Sequence, residues 1–417
     1  MSKKARQLFI NTSLLVLTIC FLFLGAEMLA RALFSDIDDG NWVGSEKKYY
    51  EYDPLLGWKK IPNMVDMRAT AGKAPVRYEL NSKGIRGPEY AYKKSHNEYR
   101  ILFLGDSFAD GYMVEFHEMF SEVMKKGLNE MRDDRYYESI NTGTTGWSTD
   151  QELLFFQNEG KKYNPDLTVL MFYENDITYV NQGKDWGMYY KPFFKVKDGK
   201  LILTNFPVPE PDLFVIQEPL ESTELSVFKS MRNWLNLNSY LYKFSKERIR
   251  NTHFLRKMVI KDDKTEDRVH EDVFFPIEYR AWEINSNATV REAWRTMEAI
   301  IINLNEETVN SGSRLLVFYV PFEASIYLEE WGKLKKMYGL TDDKWSSDQS
   351  GLVLEELCKR NNIDFLNPTD LFKVKALASV EGDKRLYDPL DHHWSVEGNK
   401  FAGEILVEFI VSHYLKK

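Results

Sequence analysis

The sequence predicts an α/β fold built around a parallel β-sheet. Short, largely apolar runs alternate along the chain with segments of helical spacing, which is the order of β–α–β units. Two of these runs, residues 99–104 and 167–173, are apolar at nearly every position, as is typical of strands buried on both faces. Of the 417 residues, 43% are hydrophobic and 14% are aromatic, so the chain can bury a sizeable core.

The predicted elements follow in chain order, with turn residues between them. Strands are expected at residues 99–104, 138–141, 167–173, 314–320 and 363–366. Helices are expected at residues 116–131, 149–159, 290–310, 351–361 and 396–415.

The alternation stops between about residues 180 and 275, where the sequence predicts a different arrangement. A hairpin is expected around the Asp198-Gly199 turn, and a helix at residues 226–250. We therefore predict a sheet domain at residues 98–417 that carries an insertion at about residues 180–275. An irregular, partly stranded leading segment at residues 35–97 precedes this domain.

The charge balance and the cysteine content exclude several classes of protein. Lys and Arg number 55 against 63 Asp and Glu, which gives a net charge of −8, and no nucleic-acid partner is expected. Only two cysteines occur, and Cys20 lies in an apolar run, so a disulfide framework is excluded. The seven histidines fall in no zinc-binding motif, and neither a metal nor a cofactor is predicted.

Residues 8–26 contain no charged side chain and, as a helix, would span about 28 Å, close to the thickness of a membrane core. Basic residues precede this run and acidic residues dominate after it. We therefore predict that residues 1–34 form a cytoplasmic N-terminus and a single transmembrane anchor, with the rest of the chain periplasmic or at the cell surface. A cleaved signal peptide, a lipoprotein modified at Cys20 and a buried core helix are the alternatives.

Four short polar segments lie at the ends of predicted strands or just before the last helix. They are Gly105-Asp106-Ser107-Phe108, residues 141–149 (NTGTTGWST), Glu174-Asn175-Asp176 and residues 388–395 (DPLDHHWS). Because open α/β sheets place their sites at the carboxyl edge of the strands, we expect the first three to lie close together. A serine hydroxyl becomes a nucleophile when an imidazole takes its proton, and a carboxylate can select the tautomer of that imidazole.

The phrases GDSF, GTTGWST, END and DHHW, in this order, resemble the four sequence blocks of the SGNH, or GDSL-like, hydrolases. The resemblance implies a flavodoxin-like three-layer α/β/α sandwich and an acyl-serine intermediate. It implies that Ser107 is the nucleophile, that His393 is the base and that Asp391 orients His393. The backbone N–H groups of Ser107 and Gly146 and the side-chain amide of Asn175 would form the oxyanion hole.

The last block departs from the usual Asp-x-x-His, because it reads Asp391-x-His393-Trp394. This spelling is similar to that of cell-envelope polysaccharide O-acetyltransferases and related esterases. The resemblance thus implies a carbohydrate O-acetyl esterase acting on an acylated carbohydrate or another ester. The alternatives are an O-acetyltransferase of a cell-envelope or secreted polysaccharide, and a non-catalytic scaffold or binding protein with partners in polysaccharide assembly.

Simpler interpretations exist for single residues. Ser107 could cap a helix, Asn175 could be a turn residue, and Gly143 could replace Gly146 as a backbone donor. Glu174 stands where many members of the family have glycine, so its carboxylate has to point away from the oxyanion hole or be paired.

Other polar and aromatic residues near the blocks have a structural interpretation as well. Asp106 and Asp110 are expected to make local turn contacts and hydrogen bonds. Most of the ten tryptophans are expected to lie in the core, and only Trp147 and Trp394 lie next to the blocks, where a sugar could stack on them. A metal could instead bind the acidic and histidine residues of the last block, which are Asp388, Asp391, His392 and His393.

Overall fold

The computed structural model describes residues 3–33, 47–68, 73–131, 133–185, 189–210, 235, 239, 241–242, 268–270, 273–274, 277–378 and 385–415. The helix predicted at residues 226–250 lies almost entirely outside the described residues. Contacts divide the chain into a smaller unit, Met1–Glu46 with Leu213–Thr265, and a larger unit, Lys47–Asp212 with Glu266–Lys417.

The smaller unit contains one long helix, α1 (Lys3–Leu33). Near its end, the Glu27 carboxylate accepts hydrogen bonds from the Ser239 hydroxyl at 2.7 Å and from the Leu241 N–H at 3.0 Å. Within the part of the chain that the structure describes, no helix combines the length and the apolar character needed to cross a membrane.

The larger unit holds the remaining described elements. The strands are β1 (Tyr50–Asp53), β2 (Gly57–Lys60), β3 (Val65–Arg68), β4 (Val76–Glu79), β5 (Glu98–Gly105), β6 (Tyr136–Asn141), β7 (Leu167–Phe172), β8 (Lys184–Asp185), β9 (Tyr189–Tyr190), β10 (Phe193–Lys197), β11 (Lys200–Thr204), β12 (Arg268–His270), β13 (Val273–Phe274), β14 (Arg314–Tyr319) and β15 (Asp364–Leu366). The helices are α2 (Phe120–Glu130), α3 (Thr149–Asn158), α4 (Glu174–Tyr179), α5 (Ala288–Asn310), α6 (Glu323–Ile326), α7 (Leu328–Tyr338), α8 (Gln349–Arg360), α9 (Thr369–Ala378) and α10 (Val396–Ile410).

The central sheet confirms the prediction of a parallel sheet. Five strands pair side by side in the order β15-β14-β7-β5-β6, and each neighbouring pair is parallel. Numbered along the chain, these strands have the order 2-1-3-4-5, which is the flavodoxin-like doubly wound arrangement. The sequence thus predicted the existence and type of all five strands, with ends displaced by one or two residues.

Side chains of the central strands alternate between two buried cores, one on each face of the sheet. In β5, Leu102 and Leu104 belong to one core, which also includes side chains of α3, α5 and α8. Ile101 and Phe103 belong to the other core, together with side chains of α2 and α10. Helices therefore cover both faces, which gives the three predicted layers.

The hairpin and two of the predicted helices form with small differences from their predicted bounds. The hairpin is confirmed as β10–β11, whose turn residues Asp198 and Gly199 both have positive φ, at 51° and 73°. The helix predicted at residues 116–131 begins as a 3₁₀ turn before α2. The last predicted helix ends in a π-helical turn, Val411–Leu415. Helices α4, α6, α7 and α9 were not predicted.

The leading segment is joined to the sheet through a buried cluster of charges around Asp110. The Asp110 carboxylate accepts hydrogen bonds from Lys60 Nζ at 3.1 Å, Arg68 Nη1 at 3.0 Å and Tyr78 Oη at 2.9 Å. Arg86 donates to the backbone carbonyl of Asp110 at 3.2 Å. Burial disfavours the ionised carboxyl, but the charges of Lys60 and Arg68 outweigh it and hold the pKa of Asp110 below its ordinary value.

Asp110→Asn should destabilise the larger unit strongly, because buried cations lose the anion that they share. We expect the free energy of unfolding to fall by about 3–5 kcal/mol, measured by urea unfolding followed through tryptophan fluorescence. Glu79→Gln is the control, since its ion pair with Arg77 is exposed and should contribute less than about 1 kcal/mol. A small, equal change in both variants would contradict the role assigned to Asp110.

Candidate active site

Ser107 follows β5 on a tight turn at the carboxyl edge of the sheet. The N–H of Asp110 donates to the carbonyl of Asp106 at 2.9 Å, and the N–H of Phe108 donates to the Asp106 carboxylate at 2.9 Å. The chain packs closely here: a Cβ added at Gly105 would lie 2.7 Å from the Cβ of Ala109. The turn therefore fixes the backbone that carries Ser107, whose exposure is 9%.

A hydrogen bond joins Ser107 to His393. The Ser107 Oγ lies 2.7 Å from His393 Nε2, although the two residues are 286 positions apart in the sequence. The other ring nitrogen, Nδ1, faces the backbone carbonyl of Asp391 at 3.0 Å and its carboxylate Oδ1 at 3.5 Å. Both of these atoms are acceptors only, so Nδ1 carries the proton. Nε2 is then the acceptor for the Ser107 hydroxyl.

The contact between Asp391 and His393 differs from the expected one. The shorter hydrogen bond of the ring goes to the carbonyl of Asp391, and the carboxylate accepts the backbone N–H of His393 at 3.0 Å. The carboxylate also forms an ion pair with Lys73. Burial opposes ionisation of Asp391, but His393 and Lys73 outweigh it and hold the pKa of this carboxyl well below its ordinary value.

Aromatic rings hold the imidazole of His393 in place. The ring centroids of Phe108 and Tyr112 lie 5.0 Å and 4.6 Å from that of His393. The guanidinium of Arg68 lies 4.4 Å from the centroid of Tyr112. Rotation of the imidazole would therefore require these packed rings to move. Sequence reasoning missed Tyr112, which lies five positions after Ser107 and carries no motif of its own.

Two backbone N–H groups in the first two polar segments have no acceptor among the described residues. Within the described part of the chain, the N–H groups of Ser107 and Gly146 donate no hydrogen bond. The alternative donor, the N–H of Gly143, is already bonded to Asn141 Oδ1 at 3.0 Å. A Cβ at Gly143 would also lie 2.5 Å from the backbone of Asp110, so this glycine serves close packing.

Asn175 lies in the first turn of α4, the short helix after β7, and contacts the Ser107 turn. Its Nδ2 donates to the Asp106 carboxylate at 2.8 Å, which leaves the second hydrogen of this amide for another acceptor. Burial raises the pKa of Asp106 to about 6. The hydrogen bond from Phe108, the charge of His393 and the hydrogen bond from Asn175 act in the opposite direction and lower this pKa. Asp106 thus orients Asn175, which agrees with the local role expected for this aspartate.

Glu174 points away from this donor set. Its two carboxylate oxygens accept hydrogen bonds from Tyr319 Oη and Ser350 Oγ, both at 2.6 Å. Burial raises the pKa of Glu174 to about 7, although the hydrogen bonds from Ser350 and Tyr319 favour the ionised form. The carboxyl at this unusual position is therefore buried and paired, as the sequence required.

His392, Trp147 and Trp394 lie next to the proposed site residues in sequence, but their side chains contact other parts of the protein. His392 Nδ1 lies 2.5 Å from the Glu323 carboxylate, so it is turned to a different partner from His393. Among the described residues, no group of three or more His, Cys, Asp or Glu could hold a metal ion. Trp147 and Trp394 are both buried, so they pack in the core and cannot stack on a sugar.

Comparisons with known proteins give structural likenesses only. No family model and no curated protein matches the chain. Among solved structures, an acetyl xylan esterase, AlAXEase, is similar with 11% identity and a TM-score of 0.37, covering 75% of this chain and 99% of its own. A lipase/acylhydrolase from Enterococcus faecalis has 12% identity and a TM-score of 0.36, with coverage of 75% and 96%. TesA has 10% identity and a TM-score of 0.34, also covering 75% and 96%.

Glu174→Gln should change how stability depends on pH. The folded chain holds the Glu174 proton more tightly than the unfolded chain, because the pKa rises from 4.5 to about 7 on folding. The free energy of unfolding of the wild type should therefore decrease as the pH rises from about 4.5 to about 7. The decrease relative to the variant should be as much as about 3 kcal/mol. Urea unfolding at several pH values measures the difference. A difference that stays constant with pH would contradict a buried, protonated Glu174.

Proposed function

We propose that this protein is a serine-dependent acyl-ester hydrolase in which Ser107 is the nucleophile. The observation that carries the proposal is the 2.7 Å hydrogen bond from Ser107 Oγ to His393 Nε2. The acceptors around Nδ1 keep the proton on that nitrogen, so Nε2 can accept the hydroxyl proton. A serine that only capped a helix would not need an imidazole with this tautomer and orientation.

The reaction follows from these positions. Ser107 Oγ attacks the carbonyl carbon of the ester while His393 Nε2 takes the hydroxyl proton, which gives a tetrahedral oxyanion. The C–O bond to the alcohol then breaks, and the imidazolium donates its proton to the departing oxygen. Water, deprotonated by the same nitrogen, attacks the acyl carbon and forms a second tetrahedral oxyanion. The bond to Ser107 Oγ then breaks, the imidazolium returns its proton to Oγ, and the acid is released. Asp391 stabilises the imidazolium formed in each half-reaction.

Three neutral donors are proposed to stabilise the oxyanion. They are the N–H groups of Ser107 and Gly146 and the free hydrogen of the Asn175 amide. Donors that are fixed before the reaction stabilise the developing charge without rearranging, and each contributes a factor of about 10²–10³ in rate. The pairing of Glu174 with Tyr319 and Ser350 keeps its carboxylate away from this negative charge.

The proposed substrate is an O-acetylated carbohydrate outside the cytoplasm. This proposal is supported by the sequence motif Asp391-x-His393-Trp394, which resembles that of polysaccharide O-acetyltransferases and related esterases. The proposed membrane anchor rests on the uncharged run at residues 8–26 and its flanking charges. Large apolar side chains of α1, including Phe21 and Met28, are exposed, which favours an apolar surrounding for this helix.

Ser107→Ala and His393→Ala should each abolish hydrolysis of a small activated acetyl ester by the full-length chain. We expect kcat to fall by about 10⁴-fold or more, because the nucleophile or its base is lost. Ser412→Ala and His413→Ala are matched controls, since both residues are exposed on the last turn of the chain and should retain wild-type turnover. Equal turnover in all four variants would contradict the serine mechanism.

Product analysis with an acetylated oligosaccharide then identifies the acceptor. Release of acetate supports the esterase, and acetyl transfer to a second sugar supports the O-acetyltransferase. A wild-type chain with neither activity, but unchanged binding of the oligosaccharide in Ser107→Ala, would favour the scaffold.

Asn175→Ala tests the oxyanion hole separately. The variant should lower kcat by about 10²–10³-fold and leave KM nearly unchanged, because the amide contacts charge that exists only in the transition state. Steady-state kinetics on the same acetyl ester measures both constants. A rise in KM at constant kcat would instead assign Asn175 to substrate binding.

A further inference from the structure

A lysine of the leading segment contacts the acidic residue of the proposed triad. Lys73 Nζ forms ion pairs with the carboxylate Oδ2 of Asp391 and with Asp388 Oδ2, the latter at 2.9 Å. The side chains of Lys73 and Asp391 are 13% and 12% exposed, so the contact is largely shielded from solvent. Lys73 lies far outside the four sequence blocks and belongs to no motif.

We propose that Lys73 is a positioning residue of the active site, which fixes the Asp391 carboxylate and tunes the charge that it presents to His393. This inference rests on the proposed function, because it assigns a task within the same Ser107–His393–Asp391 arrangement.

The geometry divides the two oxygens of Asp391 between two partners. Oδ2 is held by Lys73, and Oδ1 accepts the backbone N–H of His393 at 3.0 Å and lies 3.5 Å from Nδ1. A carboxylate with one oxygen anchored cannot rotate freely, so the other oxygen stays directed at the histidine. Lys73 thereby sets the distance from which Asp391 acts on the ring.

The same lysine joins two acidic residues that would otherwise repel each other. Asp388 and Asp391 lie on one turn, where the N–H of His392 donates to the Asp388 carbonyl at 2.9 Å. Lys73 lies between their carboxylates and offsets part of their charge. Without Lys73, the turn that carries His393 would hold two neighbouring carboxylates with no lysine between them.

The charged groups around His393 give the sign of the effect on pH dependence. Negative groups near the ring are Asp391, Asp106 and Asp388, whose N–H donates to the His393 carbonyl at 2.8 Å. Positive groups are Lys73, through Asp391, and Arg68, beyond Tyr112. Removing the Lys73 charge leaves more negative potential at the imidazole, which favours its protonated form. The unprotonated base would then form only at higher pH, so the acid limb of the activity profile should move upward.

The test compares Lys73→Met with Lys94→Met in the full-length chain. Lys94 is a matched control, because it also lies in the leading segment and pairs with an aspartate, Asp166, at 2.7 Å. Asp166 directly precedes β7, so this pair sits at the amino edge of the sheet, opposite the proposed site. The readouts are kcat/KM for the acetyl ester and the rate of Ser107 labelling by a fluorophosphonate, each as a function of pH.

We expect Lys73→Met to lower kcat/KM and the labelling rate about 10-fold, in the range of coupling between neighbouring residues. Its acid limb should move up by about 1 pH unit, as expected for loss of one nearby charge. Lys73→Arg should retain most of the rate, and Lys94→Met should match the wild type.

Asp388→Asn keeps the inference falsifiable if Lys73→Met unfolds. This variant removes the second carboxylate, so Lys73 pairs with Asp391 alone. The acid limb of the activity profile should then move to lower pH, which is opposite to the shift in Lys73→Met. A wild-type rate and acid limb in Lys73→Met or, where that variant unfolds, an unshifted acid limb in Asp388→Asn would overturn the inference alone, while the proposed function stands. A wild-type chain that neither labels at Ser107 nor hydrolyses the ester would overturn both.

Discussion

The hydrogen bond between Ser107 and His393 depends on the parallel sheet more than on any local sequence. Ser107 is placed by the end of β5, Gly146 by the loop after β6, and Asn175 by the end of β7. Parallel strands that lie side by side must end at the same edge, so three distant segments meet there. Hydrogen bonds from the Asn175 amide to Asp106 and from the Thr144 N–H to the Gly105 carbonyl then join these segments. His393 reaches the same edge because it immediately precedes α10, which packs on the sheet.

Around this edge, the chain uses buried charge to hold loops in place. Asp110 ties the turn after Ser107 to Lys60 and Arg68 of the leading segment, and Arg68 also lies against the Tyr112 ring that packs on His393. Lys73, also of the leading segment, forms an ion pair with Asp391. The leading segment is therefore part of the architecture of the proposed site. Removing this segment would leave the carboxylates of Asp110 and Asp391 without the cations that pair with them.

Features that depend on neighbouring residues in the chain could be predicted from the sequence, and contacts between single distant residues could not. Strands such as β5 and β7 were predictable because burial on both faces demands consecutive apolar residues, which the sequence displays directly. The candidate site was predictable as a set of four blocks, and the structure places Ser107 and His393 together, while their roles in catalysis remain predictions. The partners of Glu174 and the contact of Lys73 were not predictable, since each joins single residues without periodicity or motif across long stretches of chain.

We propose that Ser107 attacks an acyl group whose oxygen accepts hydrogen bonds from the Ser107 N–H, the Gly146 N–H and the Asn175 amide. A crystal structure of the full-length chain after reaction with a small fluorophosphonate tests it most directly. We expect phosphorus bonded to Ser107 Oγ, with the phosphoryl oxygen within hydrogen-bond distance of all three donors. Modification at another residue, or a phosphoryl oxygen directed away from Gly146 and Asn175, would contradict it.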